Sequence, residues 1–112
     1  MTWGNSPAIA AMAAVAAGVR NATSMTGNQA TSNVTDGFQL RGATNTLIRD
    51  NQSLGNGRIG FGLFADDFGT PSTGNTVASN LGRGNKLFDA EDTSSAGSNS
   101  WTGNNFGNVL LP

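Results

Sequence analysis

Carboxylates crowd together at two places in this chain: Asp66-Asp67, and Asp89, Glu91 and Asp92. Paired carboxylates, helped by backbone carbonyls, suit a hard cation such as Ca²⁺, so Asp66, Asp67, Asp89 and Glu91 are the candidate calcium ligands; no other cofactor is expected. The plainer alternative for Asp66-Asp67 is a solvated loop, since they fall in a stretch, 65–74, that lengthens one repeat. Alternation along a strand would turn Asp89 and Glu91 outward and Ala90 inward, with Asp92 in an inward register. The chain has no His and no Cys. That removes the commonest general base, thiolate nucleophiles, thiolate metal sites and disulfides. Arg41, Arg49, Arg58 and Arg83 stand at differing offsets in their repeats, so they form no stripe. The run Gly55-Asn-Gly-Arg-Ile-Gly-Phe-Gly lacks the Lys-Ser/Thr of a phosphate loop and alternates like a strand.

The elements that hold these groups are written in the asparagines. Met25-Thr-Gly-Asn28 is followed by Asn33, Ile48-Arg-Asp-Asn51 by Asn56, and Val77-Ala-Ser-Asn80 by Asn85. In each copy the second asparagine comes five residues after the first, and an apolar residue stands three before the first. Trp101-Thr-Gly-Asn104 is an imperfect copy, with Asn108 one residue early. The first asparagines lie 23, 29 and 24 residues apart. A period in the range of roughly 20–50 residues is the mark of a repeat architecture. Asn enters the left-handed backbone region readily, so it is expected to turn the chain itself. Its amide can also donate and accept along a stack. Asn28, Asn51, Asn80 and Asn104 would form one corner ladder, and Asn33, Asn56 and Asn85 a second. A buried amide without partners costs about 1–3 kcal/mol, so the ladders favour stacking in register.

A second apolar stripe follows each second asparagine. Phe38/Leu40 and Ile59/Phe61/Leu63 alternate with period two, as half-buried strands do. Gly, Asn, Ser and Thr lie between the stripes and suit turns. These residues carry a resemblance: Asp36-Gly-Phe-Gln-Leu40, Asn45-Thr-Leu-Ile-Arg-Asp-Asn51, Gly60-Phe-Gly-Leu63, Asn75-Thr-Val-Ala-Ser-Asn80 and Asn99-Ser-Trp-Thr-Gly-Asn104 are similar to the repeats of right-handed parallel β-helix proteins of the pectate-lyase-like superfamily. The resemblance covers about residues 19–108. It implies an all-β fold: a right-handed parallel β-helix solenoid of about four coils. It implies little about activity, because that fold hosts lyases, hydrolases, epimerases, adhesins and phage spikes. The His-dependent galacturonase and epimerase patterns cannot be carried over, and no residue matches a lyase motif.

The 112 residues suggest one domain, read as an N-terminal segment over 1–20 and repeats over 21–112. Residues 7–19 are Ala-rich and uncharged. Ser6 as N-cap, Pro7 at the first position and Gly18 at the end predict a short helix, presenting Ile9 and Met12 with Val15 beside them. Three readings compete for it: a cap over the open end of the coil, a protomer-to-protomer contact, and the core of a secretory signal. At the other end Phe106, Leu110 and Leu111 are apolar with no evident cap. Such ends either continue in a longer coil or meet another molecule, and head-to-tail contacts that do not close make filaments.

Charged residues are 12% and hydrophobic ones 37% of the chain, with 16 Gly. The net charge of −1 gives no electrostatic case for nucleic acid or an anionic membrane surface. No apolar run reaches the roughly 18–20 residues of a membrane span. The expectation is a non-catalytic, self-associating subunit of an extracellular fibre or surface assembly, its partner a second copy bound head-to-tail. The alternative is a module that binds or processes uronate polysaccharides, with calcium as the cation.

Overall fold

The computed structural model of the protein describes Thr2–Trp3, Ala14–Ala17 and residues 24–112. Every element among them is a strand or a turn, and no helix occurs. The strands are β1 (Thr2–Trp3), β2 (Ala14–Ala17), β3 (Ser24–Thr26), β4 (Gln29–Thr31), β5 (Phe38–Arg41), β6 (Leu47–Arg49), β7 (Gln52–Leu54), β8 (Ile59–Phe64), β9 (Thr76–Ala78), β10 (Leu81–Arg83), β11 (Phe88–Asp92), β12 (Ser100–Thr102), β13 (Asn105–Phe106) and β14 (Val109–Leu110). They form three sheets in which all pairings are parallel: β1-β3-β6-β9-β12, β4-β7-β10-β13 and β2-β5-β8-β11-β14. From β3 onward the chain visits the first, second and third sheet in turn, and each repeat adds one strand to each sheet.

The sequence pattern explains the strand lengths. In the short strands of the first two sheets only the middle residue points inward, so one apolar or small residue between polar neighbours suffices. The third sheet carries the longer alternating runs, with Phe38 and Leu40 inward from β5 and Ile59, Phe61 and Leu63 inward from β8. Pairing then stacks like over like. Met25, Ile48, Val77 and Trp101 lie in one register. Phe38 lies over Phe61, and Leu40 over Leu63. The two phenylalanine rings stack with centroids 5.0 Å apart and planes 9° from parallel. Full burial of side chains of this size contributes roughly 1.5–3 kcal/mol each. No single repeat has an apolar partner on both sides, so this burial exists only because the repeats are stacked.

At the C-terminal side the pattern changes. Ala90 stands in the register of Phe61, and Asp92 in that of Leu63. The small Ala90 leaves space that Phe106 fills from β13, its ring 5.6 Å from that of Phe61. Trp101 meets Phe106 edge-on at 6.0 Å. Trp101, Phe106 and Leu111 are partly buried and cover the core at this end.

The N-terminal expectation changes as well. The only described part of the stretch predicted to be helical, Ala14–Ala17, is strand β2, paired with Phe38–Arg41 of β5. Val15 therefore stands in register with Gln39 in the third sheet. β1 and β2 join the first and third sheets, so the described parts of 1–20 belong to the same sheets as the repeats. A strand here satisfies the exposed main-chain edge of β5, which a helix would leave unpaired. Ile9 and Met12 lie outside the described residues.

Candidate functional site: the asparagine columns and their carboxylate ends

The polar groups that the sequence singles out are mostly inside the molecule. Asn28, Asn33, Asn51, Asn56, Asn80 and Asn85 are buried, and Asn104 is half-buried. In the first column Asn51 Oδ1 accepts the main-chain N–H of Asn28 at 2.8 Å and its Nδ2 at 3.2 Å. Asn80 Oδ1 accepts the same pair from Asn51 at 2.9 and 3.1 Å. Asn104 Oδ1 accepts it from Asn80 at 2.9 and 3.0 Å. The other Nδ2 hydrogen runs back to a carbonyl of the preceding repeat: Asn51 to Met25, Asn80 to Ile48 and Asn104 to Val77. The second column repeats the geometry from Asn33 to Asn56 and from Asn56 to Asn85. Each amide oxygen thus meets a main-chain N–H at a corner where strand pairing lapses, and each amide nitrogen adds a donor to a strand carbonyl of the preceding repeat.

A third column was not singled out in the sequence. Thr46 donates its N–H to Asn75 Oδ1 at 2.9 Å, and Asn75 donates its N–H and Nδ2 to Asn99 Oδ1 at 3.0 and 2.9 Å. The signal was legible: Asn75/Asn80 and Asn99/Asn104 share the five-residue spacing of Asn28/Asn33, and Thr46 stands five before Asn51.

The turning itself is done by the neighbour, not by the asparagine. The left-handed residues are Gly27 (φ 69°), Asp50 (56°), Ser79 (56°) and Gly103 (63°), one before each first-column asparagine. Ser32 (56°), Gly55 (63°) and Gly84 (67°) precede those of the second column. No column asparagine has a positive φ. The division of labour is geometric. The left-handed residue bends the chain from one sheet toward the next, and the residue after it, back in ordinary space, then aims its N–H and amide along the stack.

The glycines of the Gly-Phe motif make room for these amides. A Cβ on Gly37 would stand 2.8 Å from Asn56 Nδ2, and one on Gly60 would stand 2.6 Å from Asn85 Nδ2. Both contacts are shorter than side chains tolerate. The equivalent position in the next repeat is Asp89. Its carboxylate fills the space where another amide would sit: Asn85 donates its N–H to Asp89 Oδ1 at 3.3 Å and its Nδ2 at 2.8 Å. Asp89 Oδ2 accepts the N–H groups of Gly107 and Asn108 at 2.9 and 3.1 Å. Asp89 is therefore buried, 4% exposed, and does not face outward with Glu91.

Asp92 ends the third column in the same manner. Its Oδ2 accepts Asn99 Nδ2 at 3.0 Å and Trp101 Nε1 at 2.9 Å, and its Oδ1 accepts Ser94 N–H and Oγ. An ionised carboxylate has only acceptor positions. It can receive the last donors of a column and cannot pass the pattern on. Two columns close this way, while the first ends on the amide of Asn104.

The four calcium candidates are scattered. Asp66 Oδ1 accepts the N–H groups of Phe68 and Thr70, which folds the 65–74 stretch on itself. Asp67 is exposed, and Glu91 is half-buried in register with Gly62. Among the described residues no three His, Cys, Asp or Glu side chains gather as they would around a metal ion. Of the expected end residues, Phe106 and Leu111 pack against the core, and Leu110 is 51% exposed. No helix among the described residues is long and apolar enough to cross a membrane. Comparison with known proteins finds no matching family model, no matching curated protein and no matching solved structure.

Proposed function

We propose that this chain is a non-catalytic, self-associating subunit of an extracellular fibre or surface assembly, built as a right-handed parallel β-helix. Strands that visit three sheets in turn and pair in parallel with those 23–29 residues later support this reading. The observation that carries the reading is the C-terminal end. There β12, β13 and β14 are all outermost strands, one for each sheet. Each has a main-chain edge that another strand could extend. Exposed Val109 and Leu110 lie on the last of them. The occupant proposed is a second copy, since it brings parallel strands of the same spacing. Asp89 and Asp92 already close the second and third columns, so the contact should centre on β12 and Asn104, where the column still ends on an amide.

Sedimentation velocity over a wide concentration range, with negative-stain electron microscopy, tests this. Head-to-tail oligomers or filaments are expected to grow with concentration. Leu110→Lys, which sets a charge on the apolar outermost strand, should shift the distribution toward monomer. A monomer at all concentrations sinks the proposal.

A second reading has one observation in its favour. On the outer side of the third sheet the Arg41 guanidinium lies 5.7 Å from the centroid of the half-buried Phe64 ring. Its Nε donates to Gln39, and Glu91 lies two strands from Gln39 on the same outer row. A ring, a cation and amides on one flat face suit a uronate polysaccharide, with calcium bridging its carboxylates to Glu91 or to Asp66 and Asp67. Titration with oligo-uronates, with and without calcium, decides it: an unchanged thermal midpoint and no binding heat remove this reading.

A further inference from the structure

The second asparagine column contains a chemical liability that the fold conceals. Asn56-Gly57 is the only Asn-Gly pair in the chain. Glycine has no Cβ to shield its main-chain nitrogen, so in a flexible chain this nitrogen reaches the preceding asparagine side chain easily. We propose that Asn56 is a deamidation site that reacts only when the chain unfolds, and that the modified chain cannot return to the native fold.

The step balances without any co-reactant but water. Gly57 N loses its proton and bonds to Asn56 Cγ, the Cγ–Nδ2 bond breaks, and Nδ2 leaves as ammonia. Water then opens the resulting five-membered imide at either carbonyl, giving Asp or the isomer that carries an extra methylene in the main chain. Nothing is oxidised or reduced.

Every reacting atom is held away from this path in the native protein. Asn56 is fully buried, which excludes water. Its Nδ2, the leaving group, donates to Ala30 O, Ser53 Oγ and Asn85 Oδ1 at 3.2, 3.0 and 2.8 Å. Its Oδ1 accepts Asn33 N and Nδ2 at 2.9 and 2.8 Å. The attacking nitrogen of Gly57 is itself committed, donating to Asn33 O at 2.9 Å.

The product does not fit the place it came from. Aspartate at 56 sets a carboxylate oxygen against the carbonyl of Ala30 and Oδ1 of Asn85, two acceptors where a donor stood. The isomerised product lengthens the main chain at a corner where Asn56 N and Gly57 N must both stay in register with neighbouring repeats. One unfolding event of sufficient duration thus removes a chain from the folding pool.

The test uses the full chain, incubated natively and in denaturant at mildly alkaline pH, with peptide mass spectrometry to locate deamidation. In denaturant, modification should concentrate at Asn56. It should be at least about tenfold slower in the native protein, because reaction then tracks the open population. Gly57→Val should slow it in denaturant, an arm that needs no folding. N56D, made directly, should fail to refold, whereas freshly denatured wild type refolds. Equal native and denatured rates, modification chiefly at other asparagines, or an N56D that refolds to wild-type stability would each overturn the proposal.

Discussion

Asn85 gives both its main-chain N–H and its side-chain Nδ2 to one oxygen of Asp89, a residue only four positions ahead in the same repeat. Elsewhere in the column the acceptor comes from the next repeat, 23 or 29 residues away. Asp89 thus replaces a neighbour with a local substitute. Its other oxygen ties down Gly107 and Asn108. Asp89→Asn keeps the shape and the acceptor for Asn85 but presents an NH₂ group to those two N–H donors. The expected cost is about 2–4 kcal/mol, from two main-chain donors left without acceptors. Hydrogen exchange should show the loss concentrated at residues 107–110.

Asn51 is the central test of the first column. Asn51→Ala removes the side-chain acceptor of the Asn28 N–H and the amide donor to the Met25 carbonyl, and adds a small cavity. Urea unfolding should show a loss of about 3–5 kcal/mol, and Asn51→Asp should lose as much through acceptor–acceptor opposition at Asn80. A loss under about 1 kcal/mol would mean that the column contributes little.

Gly60 and Gly82 separate space from conformation. Gly60→Ala sets a Cβ 2.5 Å from the Asp89 carbonyl, with backbone that cannot yield. A destabilisation of about 3 kcal/mol or more is expected, in the range of severe overpacking. At Gly82 the nearest atom is a ring carbon of Phe106 at 2.9 Å. That ring can shift, so Gly82→Ala should cost visibly less in the same thermal-melt series.

The turn residues give a prediction of opposite sign. Ser79 holds a left-handed φ of 56° at the position that Gly103 fills in the next repeat. Ser79→Gly should be neutral or stabilising by up to about 1 kcal/mol, as relief of strain offsets the added freedom of the unfolded chain. Gly103→Val should destabilise by about 1–2 kcal/mol or more. Differential scanning calorimetry of the pair checks both.

How much of this was written in the chain depends on the reach of each interaction. The spacing of Asn28/Asn33, Asn51/Asn56 and Asn80/Asn85, and the alternation of Phe38/Leu40 and Ile59/Phe61/Leu63, are local and periodic. They were enough to anticipate short strands stacked in register and amides laddered at the corners, and the family resemblance added that the strands run parallel. The Ala-rich stretch was misleading where it is described. Helix propensity favours residues 14–17 as helix, yet the exposed edge of β5 takes them as a strand, because an unpaired edge outweighs a weak local preference.

The roles of the carboxylates required the fold. Counted along the sequence, Asp89 belongs beside Glu91 on an outward face. In three dimensions Gly107 and Asn108, 18 and 19 residues downstream, arrive as donors that only an acceptor can meet. The sequence alone therefore determined the period and the chemistry of the column, since both depend on near neighbours. The tertiary arrangement decided where each column stops and which residues turn the corners. Those outcomes depend on which donors and acceptors are left over once the repeats have stacked.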